Sequence, residues 1–254
     1  MSVRGFHYQA LKEIGKIQTL YEDEIGAYRW CLLDPNNPLK IKIPNGHEAV
    51  IACLKNPCKV EIDGTIFHLE EKDIVYAGRG HTAVVEGIGS GESLIVIGEG
   101  ASSKDINPYI KRFKKISGFT SGYEGYRRNI YVLIGEEDPA ERLLAGYTEG
   151  WPGEWTSYPP HKHDDKTEVY VYYGLEKGFA LQVIEDEEGY EVYKVRDWDA
   201  MVFIRGYHPN VPSPKSRICY LWILCQVTGE RSLKVEVHPE FRGIPMGRSH
   251  LKKE

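Results

Sequence analysis

Short apolar runs recur along the chain, interrupted at close spacing by Gly, Asp, Asn and Pro. In places the runs alternate strictly: Lys59-Val-Glu-Ile does so, as does Tyr190-Glu-Val-Tyr-Lys-Val. A period of two sends successive side chains to opposite faces of a strand, leaving one face buried and the other wet. Helical spacing of apolar positions is scarce. Asp105 to Lys115 is one candidate for a short helix, and it reads equally as a basic linker. The pattern predicts an all-β protein of many short antiparallel strands.

An internal echo organises these strands. The first half contains Asp63-Gly-Thr-Ile-Phe-His-Leu-Glu-Glu-Lys-Asp-Ile-Val-Tyr-Ala-Gly-Arg-Gly-His81. The second contains Glu188-Gly-Tyr-Glu-Val-Tyr-Lys-Val-Arg-Asp-Trp-Asp-Ala-Met-Val-Phe-Ile-Arg-Gly-Tyr-His208. Each reads as acid-Gly turn, strand, acidic turn, apolar strand, then Arg-Gly and a His. Two copies of one β unit are expected, joined in the Gly-rich stretch Ser117 to Gly125 and dividing the chain into residues 1–118 and 119–254.

Composition narrows the function classes. At 254 residues the chain can fill one large domain or two small ones. A net charge of −5 gives no basic surface for general nucleic-acid or membrane binding. The 17 Tyr against 7 Phe suit half-buried strands, where an amphipathic ring fits. Met1-Ser-Val-Arg-Gly-Phe-His7 has no apolar core of signal-peptide length, and the apolar run Cys219 to Cys225 is too short to span a bilayer. A cytoplasmic protein is expected. Five cysteines, an odd number without secretory context, argue against a disulfide framework. Cys53 and Cys58 lack zinc-knuckle spacing, and Cys219 and Cys225 read as buried thiols.

The strongest chemical signal is Gly153-Glu-Trp-Thr-Ser-Tyr-Pro-Pro-His-Lys-His-Asp-Asp-Lys-Thr-Glu168. His161 and His163 are two apart and share a face on an extended chain. Glu168 is out of phase with them on a continuous strand, but Asp164-Asp165-Lys166 is a natural turn. A new strand from Thr167 can therefore bring Glu168 round to the histidines. Two imidazoles and a carboxylate converging in this way make a metal site with open positions. The echo adds His208, at the end of the same unit. The first half keeps His81 at the matching spot and an isolated His47, without an upstream His-X-His, so a metal-free first unit is expected.

These strings resemble a specific family. Tyr158-Pro-Pro-His-Lys-His-Asp164, Glu168, Tyr170 to Tyr173, Gly178-Phe179, Gln182 and Arg205-Gly-Tyr-His-Pro209 are similar to the 5-deoxyglucuronate isomerases of myo-inositol catabolism. The related 5-keto-4-deoxyuronate isomerases of pectin breakdown share the metal pattern. The resemblance runs from about Arg127 to Gly229, with a compatible layout before it. It departs at Trp198, where a Gly is usual, and at Ile204, where a Pro is often found. It implies a bicupin fold, two tandem jelly-roll cupin barrels, and an aldose–ketose isomerase acting on a deoxyuronate. It also implies one divalent ion, zinc or manganese first and iron or nickel as alternatives, on His161, His163, Glu168 and His208.

Such an ion would polarise a sugar carbonyl and ease removal of the neighbouring proton. Tyr170 and Tyr172, on the face of Glu168, are candidate acids or hydrogen-bonders, and Glu168 itself is a candidate base. Arg205 and Arg217 are candidates for the substrate carboxylate, and Gln182 for a sugar hydroxyl. Two rivals remain open: a non-haem iron cupin oxygenase, and a non-catalytic sugar-acid-binding cupin. A homo-oligomer with a small sugar acid as its ligand is expected, with no nucleic acid or membrane partner.

Overall fold

In a computed structural model, which describes residues 3–35 and 37–250, strands form every regular element except two single turns of 3-10 helix, Phe113–Lys115 and Pro239–Phe241. The all-β expectation holds. The candidate helix at Asp105 to Lys115 is an edge strand, Tyr109–Lys111, followed by the first of those turns. Among the described residues no helix is long and apolar enough to cross a membrane.

The strands form two sandwiches. In the first, a six-stranded sheet runs Tyr109–Lys111, Ile74–Ala77, His47–Lys55, Ser93–Ala101, Gly26–Leu33, Ile17–Glu22. It faces a four-stranded sheet of Leu39–Lys42, Thr82–Gly87, Cys58–Ile62 and Thr65–Leu69. In the second, an eight-stranded sheet runs Gly5–Tyr8, Ala200–Phe203, Lys166–Tyr173, Cys219–Gln226, Leu143–Gly150, Arg128–Ile134, Phe119–Ser121, Arg248–His250. It faces a three-stranded sheet of Gly189–Val195, Ala180–Asp186 and Asn210–Pro212. This is the tandem-barrel layout that the resemblance implies.

The echo survives at the level of single hydrogen bonds. Glu70 to Asp73 and Arg196 to Asp199 form the same turn: Lys72 N–H donates to Cys53 O at 2.6 Å, and Trp198 N–H donates to Tyr172 O at 2.7 Å. Asp73 and Asp199 each accept from the backbone N–H three residues upstream, both at 3.0 Å. Lys72 and Trp198 both sit at positive φ, 71° and 70°. That conformation explains why Gly suits the Trp198 position. The same bonds equate Cys53 with Tyr172, and counting back along the two strands puts Ala49 at the position of Glu168. In the first unit, His81 Nδ1 lies 2.5 Å from Asp63 Oδ2.

Three apolar clusters hold the molecule together. Cys31, Ile51, Val60 and Val85 belong to the one inside the first sandwich. Tyr172, Ile184, Met201 and Leu224 belong to the one inside the second. The third lies between the two large sheets and draws Trp30, Val50 and Val96 from one half and Val169, Val171 and Ile223 from the other. The central strands of the large sheets are thus buried on both faces, which is why Cys219 to Gln226 reads as a continuous apolar run. Glu48 fastens the junction. Its buried carboxylate accepts from the N–H groups of Glu141, Arg142 and Leu143 and from the Tyr76 hydroxyl, at 2.7–2.9 Å.

The second large sheet takes one of its edge strands from the first half of the chain. Gly5–Tyr8 pairs with Ala200–Phe203 of the second sandwich, and Tyr109–Lys111 pairs with Ile74–Ala77 of the first. Division at residues 118 and 119 assigns Gly5–Tyr8 to the half it does not pair with, and leaves Tyr109–Lys111 with the half it does. Ile204 N–H, at the position where a Pro is often found, donates to Arg4 O at 2.9 Å. A proline there has no N–H to give the arm.

Candidate metal centre

Pleating decides which side chains meet inside the second sandwich. Along Lys166–Tyr173, Val169 and Val171 face the central cluster, while Tyr170 and Tyr172 face the barrel interior. Glu168 shares that inner face by period, opposite Phe203 and Leu224 on its neighbouring strands. Asp164-Asp165 is the bend expected before it. His161–Lys162 forms a two-residue ladder with Glu236–Val237, and His208 N–H donates to His161 O at 3.2 Å. Gly206, two residues before His208, takes φ +92°, and a Cβ there would lie 2.9 Å from Glu185 O. The Arg-Gly-Tyr-His string needs its glycine to turn back towards the cluster.

The three imidazoles converge as a triangle. Ring centroids are 5.6 Å apart for His161 and His163, 5.2 Å for His161 and His208, and 5.4 Å for His163 and His208. One ring nitrogen from each lies within 4.8 Å of the others. Glu168 Oε2 closes the group, 3.6 Å from His163 Nε2 and 3.2 Å from His208 Nε2. The structure therefore brings together all four residues that the spacing singled out.

Their hydrogen bonds fit a cation. His161 Nδ1 lies 3.0 Å from Pro159 O, and His208 Nδ1 lies 3.0 Å from Gly206 O. A carbonyl only accepts, so each Nδ1 carries the proton and each Nε2 presents a lone pair. His163 Nδ1, His208 Nε2 and Glu168 Oε2 are buried without a hydrogen-bond partner. Burial, with the His208 charge second, takes His161 down to about 3. Burial likewise holds His163 well below the usual imidazole range and pushes the Glu168 carboxyl up. A carboxylate and neutral imidazoles with orphaned lone pairs are the donor set for a borderline divalent ion.

The cluster forms part of the wall of a cavity of about 680 Å³. His161, His163, Glu168 and Tyr170 line it, and His208 lies buried behind Glu168. Tyr170 stacks on Tyr220 at 4.1 Å. Burial, with Glu168 second, raises the Tyr170 hydroxyl well above the usual phenol range, so it keeps its proton.

Other candidates from the sequence lie elsewhere. Tyr172 donates its hydroxyl to Gln182 Oε1 at 2.8 Å, and the Gln182 amide donates to His208 O at 2.9 Å and Pro209 O at 3.1 Å. That pair braces the His208 backbone from within the core. Arg205 pairs with Asp186 at 3.0 Å and Glu188 at 3.1 Å, beside a different cavity of about 480 Å³. Arg217 donates from Nε to Gly150 O at 3.2 Å and is not part of the cavity wall.

The cavity also holds residues that the spacing argument passed over, among them Arg128, Ser157, Tyr220 and Trp222. A signal for Arg128 was present. In Arg128-Asn-Ile-Tyr-Val it shares its strand face with Ile130 and Val132, and all three line the cavity.

Comparison with known proteins places the chain in a family. The chain is 23% identical over 202 residues to a 5-deoxy-glucuronate isomerase of Shouchella clausii, a match covering 75% of this chain and 70% of that one. It is 27% identical over 190 residues to a 4-deoxy-L-threo-5-hexosulose-uronate ketol-isomerase of Bacillus pumilus, covering 68% of each. In fold it is similar to the crystal structure of an IolB-like protein from Salmonella typhimurium, with a TM-score of 0.82 at 16% identity over 93% of this chain and 97% of that one. The model of the KduI/IolB family matches residues 30–244, and the chain belongs to that family.

Proposed function

We propose that the protein is a metal-dependent aldose–ketose isomerase acting on a deoxyuronate, converting 5-deoxy-D-glucuronate to 2-deoxy-5-keto-D-gluconate. The observation that carries this reading is the convergence of three imidazoles and one carboxylate at the wall of a sugar-sized cavity, with His208 Nε2 and Glu168 Oε2 buried without a hydrogen-bond partner. The names of relatives across most of the chain set the substrate class. His161, His163, Glu168 and His208 hold one divalent ion, zinc or manganese. When bound, the ion supplies Lewis acidity to the substrate carbonyl.

The chain's own groups do the rest. Isomerisation moves one proton between adjacent carbons and one between their oxygens, so it consumes no oxidant or reductant. Tyr170, buried and protonated, donates its hydroxyl to a substrate oxygen as charge develops there. Tyr172 and Gln182 keep His208 in place through its carbonyl. Apolar walls from Ile130, Val132, Trp222 and Leu224 exclude water from the reacting carbons.

The test is turnover of 5-deoxy-D-glucuronate followed by NMR without oxygen, before and after chelation and with zinc or manganese restored. Anaerobic turnover, abolished by chelator and restored by the ion, is the expected result. Oxygen uptake coupled to substrate loss would favour an iron oxygenase instead. Binding without turnover would leave a sugar-acid-binding protein.

A further inference from the structure

We propose that Arg128 is the residue that receives the substrate's carboxylate. The inference rests on the reading of the cavity as a deoxyuronate site and adds the group that distinguishes a uronate from a neutral sugar. Arg128 opens the strand Arg128–Ile134, paired with Gly150 on one side and Ser121 on the other. Only 5% of it is exposed, yet it lies on the wall of the cavity that holds His161, Glu168 and Tyr170.

A buried guanidinium ordinarily has a carboxylate beside it. Among the described residues Arg128 has none. Its one hydrogen bond runs from Nη1 to Tyr126 O at 3.2 Å, leaving the other donors of a planar fork uncommitted. Burial lowers its affinity for its proton, and the nearby Arg248 adds to that effect. Arg248 lines the same cavity. Two guanidinium groups sharing the wall of one cavity, neither ion-paired among the described residues, favour an anion there.

The other charged side chains on the wall outside the histidine cluster are engaged or exposed. Glu136 Oε1 accepts from Leu233 N–H at 2.6 Å, Lys234 is exposed, and Arg248 is exposed and lies over the Phe119 ring. The Arg128 charge reaches His161, where it is the last of the influences lowering that imidazole. An open-chain uronate carries its aldehyde and its carboxylate at opposite ends. With the aldehyde end at the histidine cluster, the carboxylate has Arg128 as its buried bidentate partner.

The test combines two substitutions, Arg128→Gln and Arg128→Lys, with two probes, D-glucuronate and D-glucose, titrated calorimetrically into metal-loaded and metal-free protein. The parent is expected to prefer glucuronate. In Arg128→Gln that preference falls by about a hundredfold, while Arg128→Lys keeps part of it. Glucose binding does not change. Removing an uncompensated buried charge also leaves the melting temperature of the ligand-free protein unchanged or higher, where loss of a structural arginine would lower it. With 5-deoxy-D-glucuronate as substrate, KM rises more than kcat falls.

The two readings fail separately. If the parent turns over the deoxyuronate and Arg128→Gln matches it, the carboxylate assignment is overturned and the isomerase stands. If the parent has no isomerase activity, the functional reading falls, and the glucuronate titration still decides Arg128: a lost preference upholds it and a retained preference overturns it.

Discussion

His161 and His208 each commit Nδ1 to a backbone carbonyl two residues upstream, at the same 3.0 Å. That small device fixes tautomer and ring orientation together, and it makes the histidines ligands rather than bases. It has a consequence for pH. An unfolded imidazole titrates near 6.5, whereas burial holds His161 down to about 3. Between those values the unfolded chain binds more protons. The imidazoles' share of ion-free stability therefore rises with pH across that window and is lost as pH falls through it, by up to about 1.4 kcal/mol per pH unit for each such group, while the raised Glu168 carboxyl works in the opposite sense. Denaturant midpoints of chelated protein at pH 7 and pH 5, in a Glu168→Gln background that removes the opposing carboxyl, check this, and equal midpoints would contradict it. The four converging side chains were legible because His-X-His, the Asp-Asp turn and the echoed Gly-His each constrain direction. Arg128 was hard to read because Arg127 beside it does what a surface arginine does, pairing with Glu154. Gln182, Arg205 and Arg217 drew attention by residue type. Their partners, Tyr172, Asp186 and the Gly150 carbonyl, lie across strand pairings that a linear sequence does not display.

At the scale of elements, the turns carrying Lys72 and Trp198 recur because the same backbone hydrogen bonds close them. Local chemistry of that kind is readable from sequence. The crossing of the N-terminal arm is not, because nothing within Gly5–Tyr8 names Ala200–Phe203 as its partner. The arm is held by its ladder, by Arg4 to Asp186 at 2.7 Å, and by the Asp199 carboxylate, which accepts from Ala10 N–H at 2.9 Å and lies 3.1 Å from His7 Nε2. Deleting the first eight residues uncovers the edge of the strand that leads to His208. The expected outcome is a melting temperature lower by on the order of 10 °C, with aggregation through the bared edge. A truncated protein that melts with the parent would contradict the role of the arm.

Across the whole molecule, the large sheet of one half packs against the large sheet of the other. The first sandwich has Ala49 where the second has Glu168, and it presents a dry sheet face to the strand that bears that carboxylate. The two-unit organisation was visible in the echo. The central cluster between the sheets was not, because a strand buried on both faces loses the alternation that would reveal which side meets which. Glu48 shows how the halves are held in register, with one carboxylate satisfying three N–H groups at the start of the strand Leu143–Gly150. The most direct measurement is the metal content of the purified full-length chain, before and after chelation and refilling, for the parent and for His163→Ala and His208→Ala. One divalent ion per chain in the parent, with none retained by either variant while both keep a cooperative melt, is the predicted result. Stoichiometric metal in folded variants, or a parent that takes up none when refilled, would contradict it.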